Sequence, residues 1–322
     1  MLDTVPPGPI GSDGPAFGTY VGQCADTDLQ LGERGVSRLR GALSEKRWHW
    51  FCGFDDKLAL GGAIVDAGLF GTAFLWVFDR RTGELLDDRD VVVPAPLLSV
   101  SSKPGGGDLA RIDIPRRRLR LTRDGDRLRV TGEFGATSLA VTFSGFSRPM
   151  TAICPVDGRA GGVNVTQKET CGTVSGYVEL DDKYHIDGTG MADYSHGLLG
   201  RVTAWHWAIG NCTDDEGREI GFNLVGGFND GLENVIWVDG EPQAVGAAQF
   251  DPGESGTDDE WAVRSTCGTV DLTLAVEGVR TQAQNFGAVS SEYRQPLGRW
   301  SGTIADRAVR GVGVAEYHRS KW

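Results

Sequence analysis

The chain has 322 residues, enough for two domains or one large one and too many for a small disulfide-stapled scaffold. Its 32 Lys and Arg against 44 Asp and Glu leave a net charge of −12, which disfavours nucleic acid and anionic membrane surfaces as partners. A composition of 40% hydrophobic and 24% charged residues excludes a disordered chain. The 47 glycines, without a collagen-like period, predict many tight turns and an all-β fold.

From the N-terminus, Met1 to Phe17 is rich in Pro and Gly. It lacks the basic start and apolar run of a secretory signal, and residues 1–35 are expected to be irregular. No window approaches the ~18 apolar residues of a membrane span. The six cysteines stand singly, with no C-x-x-C pair, and are expected to be free core thiols of a cytoplasmic protein. On that reading the sequons at Asn164 and Asn211 carry no sugar.

Helical periodicity is confined to a turn or two around Leu29 to Leu43. Leu58–Val65 and Thr72–Phe78 read as strands, with turn chemistry at Asp79 to Gly83. Arg111 to Leu121 alternates apolar with charged residues, and Arg123 to Asp126 forms a hairpin turn into Arg127–Val130. Arg116 to Arg118 is read as basic residues protecting a strand edge. Further strands are expected at 138–143, 175–180, 204–210, 219–225, 233–238, 270–276, 300–304 and 311–317. Ser147 to Met150 and Cys154 to Gly162 suit neither strand nor helix, so a linker is expected near 145–162. Two β domains follow, 36–158 and 159–322.

The unusual residues gather between Asp187 and Asn234. Asp193, Tyr194, Ser195 and His196 are consecutive; in a strand Asp193 and Ser195 face one side, Tyr194 and His196 the other. Ser195 and His196 then cannot pair directly, and no G-x-S-x-G elbow occurs, which disfavours a serine hydrolase. The histidines lack metal-ligand spacing, and the Gly-rich runs lack the Lys-Ser/Thr or the helix of a nucleotide site, so no metal or cofactor is expected. Trp205 and Trp207 share one strand face; they suit either a cation-stabilising pocket wall or plain core packing. Asp193 and His196 each also suit a structural hydrogen-bonding role.

Seven stretches together carry a family resemblance: Lys46 to Trp50, Asn164 to Gln167, Gly190 to Gly197, Trp205 to Ala208, Gly226 to Gly240, Gln295 to Gly302 and Gly313 to Trp322. In order and spacing they resemble the carotenoid 1,2-hydratase and AttH-like superfamily, which includes natural-product Diels–Alderase cyclases, and within it the bacterial family DUF2804. The resemblance implies two lipocalin-like or calycin-like antiparallel β domains, barrel or sandwich, with a ligand pocket near their junction. In the hydratases an acidic residue protonates an alkene, and that residue maps onto Asp193. The hydratase pattern is Asp-His-Glu-Trp-Gly, whereas this chain has Asp193-Tyr-Ser-His-Gly197.

The expected activity is acid-assisted alkene chemistry (hydration, isomerisation or cyclisation) on an isoprenoid or polyketide-like molecule. Asp193 is the expected acid, its pKa raised by apolar surroundings, with Tyr194 or His196 orienting it. Trp76, Trp205, Trp207, Asn223 and Glu233 are the expected pocket residues. Two other readings fit the same pocket: a pericyclic cyclase that works by folding its substrate, and a non-catalytic carrier of a lipophilic compound. The partner is then a hydrophobic small molecule, and the protein a monomer or homodimer.

Overall fold

The computed structural model describes residues 2–37, 41, 43–156, 162–252, 259–285, 287 and 289–322. Short strands open the chain: β1 (Asp3–Thr4), β2 (Ile10–Gly11), β3 (Gly14–Pro15) and β4 (Gly18–Val21). Next come β5 (Glu45–Phe54), β6 (Leu58–Asp66), β7 (Phe70–Asp79), β8 (Glu84–Pro94) and β9 (Leu98–Val100). Four strands in hairpin succession follow: β10 (Gly107–Ile114), β11 (Arg117–Asp124), β12 (Arg127–Phe134) and β13 (Thr137–Ser144). The first sheet is completed by β14 (Met150–Pro155), β15 (Val163–Glu179) and β16 (Lys183–Leu198). The remaining strands are β17 (Val202–Asp214), β18 (Glu219–Gly226), β19 (Val235–Val238), β20 (Glu241–Ala244), β21 (Ala248–Asp251), β22 (Glu260–Ser265), β23 (Val270–Asn285), β24 (Ser290–Ile304) and β25 (Arg307–Lys321).

The first sheet runs β8-β7-β6-β5-β16-β15-β13-β12-β11-β10-β9 and curls into a nearly closed barrel. The second runs β20-β19-β18-β17-β25-β24-β23-β22-β21 and forms a half-barrel. The curl brings β9 back against β7, where Leu98 leaves no room for a Cβ at Gly71. Among the described residues no helix is long and apolar enough to cross a membrane.

Period-two patterning explains the layers. In β7, Ala73, Leu75 and Val77 fill the barrel interior, while Phe74, Trp76 and Phe78 point the other way into an aromatic layer between the sheets. β5 is divided in the same manner, Phe51 inward and Trp50, Cys52 and Phe54 outward. Both faces of these strands are therefore buried, and their sequences are nearly continuous apolar runs. β11 to β13 bury one face only: Leu119, Leu121, Leu128, Val130, Leu139 and Val141 turn inward, and Arg118, Arg120 and Arg129 face solvent. On its other face the half-barrel holds a third core around Phe222, Trp261, Leu272 and Trp300.

The structure departs from the sequence reading in several places. Arg111 to Leu121 is not one strand: Arg116, at φ 63°, sits in a hairpin turn between β10 and β11. Arg117 and Arg118 lie on β11, which is paired on both sides, so they do not protect a sheet edge. Within the expected break, Met150–Pro155 is a strand, paired with β15 and β4; residues 157–161 lie outside those described. β15 and β16 both belong to the first sheet, so the sheets change over between Leu198 and Val202 rather than near 145–162. In the stretch Leu29 to Leu43, expected to hold a turn or two of helix, 31–35 form a turn and 41 and 43–44 are helical; 38–40 and 42 lie outside the described residues. Five cysteines are buried as expected, but Cys267 is exposed.

Candidate functional site

Two rows of cross-strand neighbours face each other across the layer between the sheets. On the first sheet Lys168, Asp193 and Trp50 stand side by side on β15, β16 and β5, with Thr166, Ser195 and Trp48 in the adjacent row. Residues directly opposite in an antiparallel pair share a face, so this register turns all six toward the second sheet. On the second sheet Glu316 of β25 neighbours Trp207 of β17, and His318 neighbours both Trp205 and Tyr293 of β24. Between them lies a cavity. Its walls are mainly apolar: Trp48, Trp50, Phe70, Phe74, Trp205, Trp207 and Phe228 contribute rings. Trp48 and Trp205 are stacked with centroids 6.2 Å apart and planes 10° from parallel. Trp50 meets Trp207 edge-on at 5.0 Å.

The polar groups in this wall are few and buried. Lys168 Nζ donates to Asp193 Oδ1 at 2.7 Å and to Glu233 Oε1 at 2.8 Å, and it lies 4.8 Å from the Trp207 ring centroid. Burial opposes the Lys168 charge, but the two carboxylates outweigh it and hold the ammonium pKa above its usual value. The second Asp193 oxygen accepts from Trp48 Nε1 at 2.9 Å. Asn229 donates from its amide to the second Glu233 oxygen.

Glu316 is placed differently. Trp205 Nε1 donates to its Oε1 at 2.9 Å and Gln295 Nε2 to its Oε2 at 3.1 Å. No ion pair with a cation is formed at this carboxyl among the described residues. Burial pushes its pKa up to about 7, opposed by hydrogen bonds from the Tyr293 hydroxyl and the Trp205 N–H and by the charge of Lys168, with the charge of Asp193 adding to the rise. His318, hydrogen-bonded at Nε2 to Ser291 and Ser320, is pushed down to about 3 by burial and stays neutral. The cavity thus holds one carboxyl whose pKa is lifted toward neutrality, facing a Lys with two carboxylates. Among the described residues no group of three or more His, Cys, Asp or Glu is arranged to hold a metal ion.

Of the residues singled out from the sequence, Asp193, Trp205, Trp207 and Glu233 line the cavity. Tyr194 and His196 do not. They point to the opposite face of β16, as the strand period requires, where Thr27 Oγ1 lies 2.6 Å from the Tyr194 hydroxyl and 2.9 Å from His196 Nδ1. His196 Nε2 meets Glu45 Oε1 at 2.8 Å, and Tyr194 donates to the Ser101 carbonyl. These bonds tie the N-terminal segment to the barrel and leave neither side chain able to orient Asp193. Trp76 is wholly buried against Gly61 and Phe78, away from the cavity. Asn223 stands behind the wall: its Oδ1 accepts from Trp207 Nε1 at 2.7 Å, and its amide donates to the Glu233 carbonyl. It positions both without lining the space.

Sequence reasoning passed over Trp48, Lys168, Tyr293 and Glu316. Glu316 had a signal: Val312, Val314, Glu316 and His318 occupy one phase of a strand, so a carboxyl falls where apolar residues begin the row. Lys168 is a cation inside a strand that is buried from Val163 through Gly172, which also marks it.

A nearly closed barrel and a half-barrel enclosing an aromatic cavity define a lipocalin-like, two-sheet β protein of AttH type. Three solved structures share the arrangement. A protein described as AttH from Nitrosomonas europaea is 12% identical, with a TM-score of 0.52 over 85% of this chain and 92% of that one. Kievitone hydratase from Nectria haematococca is 13% identical, at 0.53 over 86% and 89%. CghA, solved with Sch210972, is 10% identical, at 0.53 over 87% and 89%. No curated protein matches the sequence. The chain belongs to the family described as domain of unknown function DUF2804, which matches residues 15–322.

Proposed function

We propose that the protein is an enzyme that acts on a hydrophobic small molecule, isoprenoid or polyketide-like, by acid-assisted alkene chemistry in the cavity between the sheets. The observation that carries this reading is Glu316, a buried carboxyl with a pKa raised to about 7 in an aromatic wall. A general acid works best when its pKa lies near the working pH. Asp193, the acid expected from the sequence, is ion-paired with Lys168, whereas Glu316 forms no ion pair among the described residues, so the donor role is given to Glu316. Protonation of an alkene by Glu316 leaves a carbocation, which the faces of Trp48 and Trp205 stabilise. Asp193 and Glu233, on the opposite wall, add negative potential and can receive the proton of an attacking water. Hydration, isomerisation and cyclisation differ only in how that cation is discharged. The kievitone hydratase that shares the fold is named for the first of these.

The test incubates wild type and Glu316→Gln with candidate polyenes, and with whatever lipophilic compound co-purifies, in D2O. Acid-assisted turnover places one deuterium on the protonated carbon and falls about a hundredfold or more in Glu316→Gln. Turnover without deuterium that survives the substitution supports the pericyclic cyclase instead, and binding without any change of mass supports a carrier.

A further inference from the structure

The cavity between the sheets has a neighbour. A second hollow lies beside it, lined in part by Pro155 and Val156 at the end of β14, by Thr203 and Ala204 of β17, and by Ala247 and Ala248. Three residues border both spaces: Val225, Phe228 and Asn229. They form the partition between an aromatic cavity and a hollow of small side chains. Apart from Phe228 and Asn229, no described side chain lining the hollow is larger than Val.

The three are held in different ways. Val225 is buried in β18, and its N–H donates to Asn234 Oδ1 at 2.6 Å. Asn229 accepts from Asn164 Nδ2 at 3.1 Å and donates to Glu233, so it belongs to the network around Lys168. Phe228 is held by packing alone. It is half-buried, and its ring meets Trp205 at 5.3 Å with 33° between the planes. The backbone is left-handed on both sides of it, at Gly227 (φ 79°) and Asn229 (φ 56°), residue types that tolerate that region. These two positions end β18 and turn the chain along the partition, with the Phe228 ring against the cavity's Trp205. An apolar chain lying on Trp205 therefore meets Phe228, and past that ring the hollow offers only small side chains. A close-packed apolar wall discriminates by single methylene groups, and this wall is one ring thick. We infer that Phe228 sets the length of apolar chain that the cavity accepts, and that the hollow beyond it is the room a longer ligand takes when the ring is removed. This rests on the cavity being the site of a lipophilic molecule and deepens that reading, because it names the residue that selects among such molecules by length.

The test reads binding without turnover, so it stands whether or not Glu316 proves to be the acid. Geraniol, farnesol, geranylgeraniol and geranylfarnesol, which lengthen by one prenyl unit at a time, are titrated into wild type, Phe228→Leu and Phe228→Ala. Quenching of tryptophan fluorescence is the readout. Wild-type affinity should rise with chain length and then fall by about tenfold at the first alcohol that is too long. In Phe228→Ala the fall should come one prenyl unit later or vanish. Phe228→Leu keeps an apolar side chain on Trp205 and should fold as wild type does, by circular dichroism, while taking the first excluded alcohol more tightly than wild type. The same length limit in wild type and in the folded variants overturns the inference, and so does a wild type that shows no limit across the series. If none of the four alcohols binds, the reading of the cavity as a lipophilic site falls and the inference falls with it.

Discussion

At the scale of single residues, two carboxyl groups of this cavity carry opposite burdens. Asp193 shares an ammonium with Glu233, whereas Glu316 is held by the neutral donors Trp205, Gln295 and Tyr293, with no ion pair among the described residues. The folded pKa of Glu316, about 7, lies above the 4.5 of an unperturbed Glu. Between those values the folded chain holds a proton that the unfolded chain has released, so stability is full below the lower value and falls as pH rises to the upper one. Glu316→Gln cannot ionise. Its melting temperature should therefore decline less than that of wild type between about pH 5 and about pH 8. Equal slopes would show that Glu316 does not titrate in this range. Lys168→Met poses the reverse case, two buried carboxylates without their cation, and should cost about 3–5 kcal/mol. The loss, measured by denaturant unfolding, should shrink as the pH falls and the pair takes up a proton; a uniform loss at every pH would point to packing instead.

Among the elements, β16 links chemistry to packing. One phase supplies Asp193 and Ser195 to the cavity, the other sends Ala192 and Tyr194 into the barrel. Its glycines answer to the barrel. A Cβ at Gly190 would come within 2.4 Å of Phe143, which is itself wholly buried. Gly190→Ala should accordingly destabilise by about 1–3 kcal/mol through overpacking. Gly106→Ala, where nothing lies within 4 Å, should stay within about 0.5 kcal/mol of wild type in the same denaturant titration. If both cost the same, crowding by Phe143 is not the reason for the glycine. Alternation along β16 was legible from Asp193 to His196 alone, so the division of those four side chains between two faces followed without a structure. Which face held the site did not, because both are buried and period two has no preference between them.

Over the whole molecule, the sheets share one aromatic layer and are joined at its margin. Trp50 and Trp207 meet across it, Arg80 pairs with Glu277, and Arg280 pairs with Asp88. Separating the sheets would expose that layer and strand two buried guanidinium groups, each costly to leave unpaired. Unfolding should therefore be a single event: far-UV and near-UV circular dichroism should report coincident thermal transitions. Two resolved transitions would mean that barrel and half-barrel are stable apart.

The amino-acid sequence by itself marked many of the strands and turns, and the family. Alternation and glycine turns are local, and spaced stretches such as Trp205 to Ala208 survive as a linear pattern. It also marked Asp193, Trp205, Trp207 and Glu233, whose residue types stand out where they occur. Only the tertiary structure decided that Tyr194 and His196 serve the barrel, that β15 and β16 belong to the first sheet, and that burial lifts the pKa of Glu316. Those outcomes depend on partners distant in the chain: Trp205 and Glu316 are 111 residues apart, and Thr27 and His196 are 169 apart. Burial, which sets the state of a carboxyl, belongs to the assembled layers and has no signature in the residue's own neighbourhood of the sequence.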